Sequence, residues 1–237
     1  VSWRVLFRGL VSPNQKFTFA QAQNYIFMTG NALTDPIFKY DVATSSFGAA
    51  ILGQSSMTAI IFAKYLLHVN GYMLAANIRD VKSGLQNLTT YYDDRLYYTY
   101  ILEPSSYSIN RFLNISLGDA QSITGLTSKR GSEVGTSIVE IYKQTSIHAL
   151  SFTILDPVGE GGTQRITKVA EGFGHISESP PENIGAWDIM FSKDGIVQWD
   201  GGLLFRANLD AEKLLISRRI KTITDKLVSR NSYKNSI

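Results

Sequence analysis

The sequence predicts an α+β chain, on three observations. Arg95 to Glu103 alternates Leu96, Tyr98, Tyr100 and Leu102, the period of a half-buried strand. Ile60, Ile61, Ala63, Tyr65, Leu66 and Leu67 form an apolar run that reads as a mostly buried helix. Leu209 to Leu227 sets Asp210 and Glu212 near its start and Arg218 and Arg219 in its second half, the charge order a helix dipole favours.

Taken in order, Trp3 to Leu10 is aromatic and β-branched enough for a short strand, stopped near Ser12-Pro13-Asn14. Phe17 to Phe27 reads as a helix, with Thr18 as a cap ahead of Ala20, Ala22 and Tyr25, and Gly30-Asn31 ends it in a loop. Tyr40 to Ser46 is a strand running into a polar turn, and a helix begins at Ser56 or Thr58. Asn77 to Tyr92 is polar with interspersed leucine. The central strand at Arg95 follows, then a Ser-, Thr- and Gly-rich connection over Asn114 to Thr136.

Val139 to Leu155 holds a further helix or strand, with Ile147 to Ile154 favouring a strand. Gly159-Glu160-Gly161-Gly162 is a flexible turn, because no Lys-Ser or Lys-Thr pair follows it to reach phosphate and metal. Ile184 to Phe191 and Ile196 to Trp199, joined by Lys193-Asp194-Gly195, read as a hairpin.

A chain of 237 residues buries one substantial core. Its 44% hydrophobic and 18% charged residues describe a folded globule. With no cysteine, disulfides, thiolate metal sites and thiol catalysis are excluded. The longest uncharged run, Val42 to Ala63, is too polar for a membrane span and too far along for a signal peptide, which implies a soluble chain. His68, His148 and His175 are too dispersed to argue a zinc site, so no metal is expected.

Positive charge belongs to the tail. Gly201 to Ile237 carries eight Lys or Arg against three Asp or Glu, a net of +5 in a chain whose total is +3. Arg218, Arg219, Lys221, Lys226, Arg230 and Lys234 form a solvated basic face, and no arrayed aromatics lie beside them as base-stacking platforms.

Three scattered elements carry a resemblance. Phe7-Arg8 is followed by Ser12-Pro13. Val42-Ala43-Thr44-Ser45-Ser46 ends a strand. Glu171 stands 13 residues before Ile184, ahead of Ser179-Pro180-Pro181-Glu182-Asn183. In this order they resemble the NAD-binding and catalytic elements of the mono-ADP-ribosyltransferase toxins of the cholera and pertussis class, and Tyr97-Tyr98-Thr99-Tyr100 resembles that family's tyrosine-rich strand. Ala43 replaces the first serine of the family's Ser-Thr-Ser motif, and Val169 replaces its upstream Gln or Glu.

The resemblance implies split antiparallel β-sheets forming an NAD cleft flanked by helices, with a catalytic domain over 1–205 and a basic helix or tail over 206–237. Glu171 and Arg8 would be catalytic. Glu171 would stabilise the oxocarbenium ion formed as nicotinamide leaves, and Arg8, with Arg4 as runner-up on the same face, would fork onto the NAD pyrophosphate. Thr44 and Ser45 would brace the NAD site, and Tyr98 would stack on nicotinamide. NAD would be a substrate, and ADP-ribose would pass to a host protein or to water. The chain would be secreted or delivered into a host cell, with a delivery subunit as partner.

Two other readings come from the residues themselves. One is a non-enzymatic, mostly β binding or structural domain, in which Arg8, Ser45 and Glu171 lie on separate surfaces. The other is a nucleic-acid-binding protein acting through the basic C-terminal tail, whose affinity would fall steeply with salt.

Overall fold

The computed structural model describes residues 16–30, 36–49, 51–54, 57–82, 89–130, 136–153, 165–184, 187–193 and 195–199. Every regular element among them is a strand. The first sheet is β1 (Phe17–Ala22), β2 (Tyr25–Gly30), β3 (Phe38–Asp41) and β4 (Ser46–Ala49), paired in chain order. β5 (Ile51–Gln54), β6 (Met57–Val69), β7 (Tyr72–Lys82), β8 (Thr89–Tyr100) and β9 (Glu103–Asn114) make the second, which closes into a barrel where β5 pairs in parallel with β9 through Ile51 opposite Ser106 and Leu52 opposite Tyr107.

The third sheet is β10 (Gly125–Arg130), β11 (Thr136–Tyr142), β12 (Ser146–Thr153) and β13 (Arg165–Glu171). The fourth is β14 (Glu182–Ile184), β15 (Trp187–Ser192) and β16 (Gly195–Trp199). Each is a meander of consecutive strands. Four such β units, which as all-β sheets correspond to the blades of a propeller, follow one another along the chain, the second closed on itself.

Three apolar cores join the four units in a row. Ala22 and Phe27 of the first sheet pack with Ile61, Ala63, Met73 and Ala75 of the barrel. Tyr65, Leu74 and Leu96 of the barrel pack with Leu126, Val139, Ile141 and Leu150 of the third sheet. Tyr142 and Ile147 of the third pack with Met190, Val197 and Trp199 of the fourth.

The barrel therefore serves two cores at once, and its strands show it. In β7, Tyr72, Leu74 and Ala76 face the third sheet while Met73 and Ala75 face the first. A bulge at Asn77, whose φ is 56°, shifts the register so that Ile78 joins the first core. The Asn77 side chain donates to the Ile123 carbonyl at 3.0 Å.

The α+β expectation is thus corrected to an all-β fold. Met57 to Leu67, within β6, is strand, not helix: a strand covered on both faces loses its alternation and leaves an apolar run that periodicity cannot separate from a buried helix. Phe17 to Phe27 is a hairpin, turned at Gln23 with φ 53°. Asn77 to Tyr92 holds the second half of β7 and the start of β8, and Asn114 to Thr136 contains β10. The strand expected over Arg95 to Glu103 forms only to Tyr100, where Ile101-Leu102 turns the chain into β9; the hairpin around Lys193 forms from β15 and β16, with Ile184 in the separate strand β14; and Ile147 to Thr153 lies in β12. The strand expected at Trp3, the Gly159 turn, the C-terminal helix and the 205/206 boundary lie outside the described residues.

Candidate functional site

Those residues singled out by the resemblance that the structure describes lie on separate sheets. Thr44 and Ser45 occupy the exposed turn between β3 and β4. There the Asp41 carboxylate accepts from the Ala43 and Thr44 amides at 2.9 and 3.3 Å, and the Thr44 hydroxyl meets that of Ser46 at 2.8 Å. These hydroxyls stabilise a hairpin. Tyr98 lies in the barrel, edge-on to Tyr72, with the Arg111 guanidinium 4.7 Å from its ring centroid. Glu171 ends β13 on the third sheet, exposed and paired with Lys168 at 3.2 Å. Arg4 and Arg8 lie outside the described residues.

Three strand edges converge elsewhere. β1, β10 and β14 are each the outermost strand of their sheet. A groove of about 470 Å³ opens between them, walled by Phe17 to Phe19, by Leu126 to Ser128, and by Pro180 to Asn183, with Tyr65 to Leu67 of β6 also lining it. The Thr18 hydroxyl donates to the Lys64 carbonyl at 3.1 Å and the Tyr65 hydroxyl to the Glu178 carbonyl at 3.3 Å, tying two walls to the barrel.

Behind the groove, between the third and fourth sheets, lies a buried polar network. Asp188 accepts from Thr127 at 2.9 Å through Oδ2 and from Asn183 at 2.8 Å through Oδ1, and both donors also line the groove. Lys129 Nζ stands 3.2 Å from Asp188 and 3.4 Å from Glu140. The Tyr142 hydroxyl contacts Glu140 Oε2 at 2.6 Å and Asp188 Oδ2 at 2.5 Å.

A tyrosine hydroxyl has one proton, so it cannot donate to two carboxylates, and one acid must be protonated. Burial and the neighbouring Asp188 push the Glu140 carboxyl up to about 7. Despite its burial, Asp188 is held below the ordinary carboxylate range by its bonds to Glu140, Tyr142 and Asn183 and by Lys129. Below about pH 7 Glu140 holds the proton and Asp188 the charge. Such a network fixes one sheet against the other through the partners shared by Asp188, Tyr142, Thr127 and Lys129, while Glu140 Oε1 is buried without a hydrogen-bond partner.

The first sheet offers a different surface. Cross-strand register places Phe19, Met28 and Phe38 in one row and Gln21, Ile26, Tyr40 and Phe47 in the next, on the face turned away from the barrel. Phe38 and Phe47 stack at 5.2 Å between centroids, and Phe19 is 62% exposed. Only Gln21 interrupts these rows with a polar amide. The opposite face carries Ala22 and Phe27 into the core, so the strands are apolar on both sides.

No protein-family model matches the chain, and no curated protein matches it. The toxin-like reading is overturned by the fold. Among the described residues there is no helix flanking an NAD cleft between split sheets, and the positions that would line one are spread over three sheets. NAD as substrate, ADP-ribosyl transfer, the host-protein acceptor and the delivery subunit were implied only by that architecture and fall with it. Among the described residues no cluster of three or more His, Asp or Glu is placed to hold a metal ion.

The groove, the aromatic face and the carboxyl network were not anticipated from the sequence. One signal for the face was present: Phe17 and Phe19 alternate with Thr18 and Ala20, and Phe38 with Tyr40 around Lys39.

Proposed function

We propose that this chain is a non-catalytic, β-rich interaction scaffold that docks another protein on the outer face of its first sheet. The observation that carries this reading is the apolar face of Phe19, Ile26, Met28, Phe38, Tyr40 and Phe47, of which Phe19, Ile26 and Phe47 are exposed and the others half-buried, on a sheet whose other side already fills a core. Monomeric proteins rarely expose contiguous apolar surface of this kind, and where they do it marks a contact site. Aromatic and methionine side chains are also the types that interface centres favour. Four sheets locked in series by three cores give the face a rigid support.

The test is the paired substitution Ile26→Asp with Phe47→Asp. Both side chains point away from the core, so the expected result is a cooperative unfolding transition whose midpoint falls only by the loss of the Phe38–Phe47 stack, together with weaker dye binding by 8-anilinonaphthalene sulfonate and at least tenfold weaker association with whatever protein assembles on the wild-type chain. Unchanged association would remove the reading.

A further inference from the structure

We propose that the groove between β1, β10 and β14 is a second binding site, which takes an extended peptide strand carrying a basic residue. This goes beyond the docking face and rests on different residues. Among the described residues each of the three strands pairs on one side only, which leaves the amides and carbonyls of its other edge without a sheet partner there. An extended peptide is the ligand whose own backbone satisfies such a row, as in strand addition to a sheet edge.

The lining sets the side-chain chemistry. Leu66, Leu67, Leu126 and Phe17 give an apolar bed for alternate side chains. Glu182 is the groove's charged residue, exposed and outside every ion pair found among the described residues, so it selects a lysine or arginine on the peptide. The walls hold their spacing: Gly125 lies so close under Pro181 that a Cβ there would stand 2.3 Å from its Cδ. Thr127 and Asn183 are held by Asp188, which keeps two walls in place before a ligand arrives. Phe17 and Phe19 border both groove and aromatic face, so a partner seated on the face has a path for a strand into the groove.

The probe is a fluorescein-labelled nonapeptide alternating valine and threonine around a central lysine, followed by fluorescence anisotropy. Its counterparts carry central glutamate, or N-methyl groups on alternate amides. The expected result is saturable binding, at least tenfold weaker for the glutamate peptide and abolished by N-methylation. Glu182→Lys, at an exposed position, leaves the thermal midpoint unchanged and reverses the charge preference. Binding that survives N-methylation, a preference indifferent to Glu182→Lys, or no binding to the folded wild type at millimolar peptide would each overturn the proposal. Ile26→Asp with Phe47→Asp lies off the groove and leaves peptide binding intact, so failure of the groove and failure of the docking face are told apart.

Discussion

The Tyr142 hydroxyl lies 2.5 Å from Oδ2 of Asp188, across the junction of the third and fourth sheets. Glu140 completes the triangle and keeps a proton that the unfolded chain would release near pH 4.5. Between that value and about 7 the folded chain binds the extra proton, so stability is greatest at the acid end of this window and falls as pH rises through it. Glu140→Gln keeps the shape without the titration. In urea unfolding from pH 5 to 8, the wild-type midpoint is expected to fall relative to that of the variant at the same pH, the two histidines contributing equally to both.

His175 works in the opposite direction. Its Nε2 donates to the Ser179 carbonyl at 2.6 Å, and its Nδ1 accepts from the Phe191 amide at 3.2 Å, which fixes the neutral ring. Burial pushes it down to about 4. The unfolded chain takes up this proton below pH 6.5, so the stabilisation is complete above 6.5 and is lost as pH falls toward 4, in total about 3 kcal/mol. His175→Asn is expected to reduce the acid slope of the unfolding midpoint. His148, also pushed down to about 4 by burial and by Lys143 and Lys168, retains a share of it.

Lys143 is fully buried and donates to both oxygens of Asp119 at 2.8 and 2.9 Å. Removing the acid strands the ammonium. Asp119→Ala is therefore expected to cost about 3 kcal/mol by chemical denaturation, whereas Lys168→Ala, which breaks the exposed pair with Glu171, is expected to cost less than about 1 kcal/mol.

Gly125→Ala places a methyl group against Pro181. Relief requires the Pro180-Pro181 wall to move, and the expected cost is about 1 to 3 kcal/mol, read as a lower thermal midpoint. Weaker binding of the lysine nonapeptide should accompany it.

Only a few strands were legible, β12, β15 and β16 with parts of β3 and β8, and the clearest misreading has a physical cause. The hairpin at Lys193 was read correctly because its strands keep period two and its turn contains glycine. β6 was misread because it contributes to two cores, with Ile61 and Ala63 facing one and Tyr65 and Val69 the other. The turn that ends it, Asn70-Gly71 with φ of 47° and 82°, is the strongest short hairpin signal a sequence offers, and it would have converted the supposed helix into a strand. The candidate sites were not legible. Glu140 and Asp188 are 48 positions apart in sequence and meet only because Tyr142 and Thr127 bring two sheets together. The aromatic face needs the cross-strand register of four strands, which no single segment encodes.

The central claim is that the outer face of the first sheet is a protein contact. Hydroxyl-radical footprinting of Phe19, Ile26 and Phe47, followed by mass spectrometry on the chain in its native lysate and after purification, tests it at those side chains. The account predicts oxidation of all three in the purified chain and protection of all three in the lysate. Equal oxidation in both would contradict it.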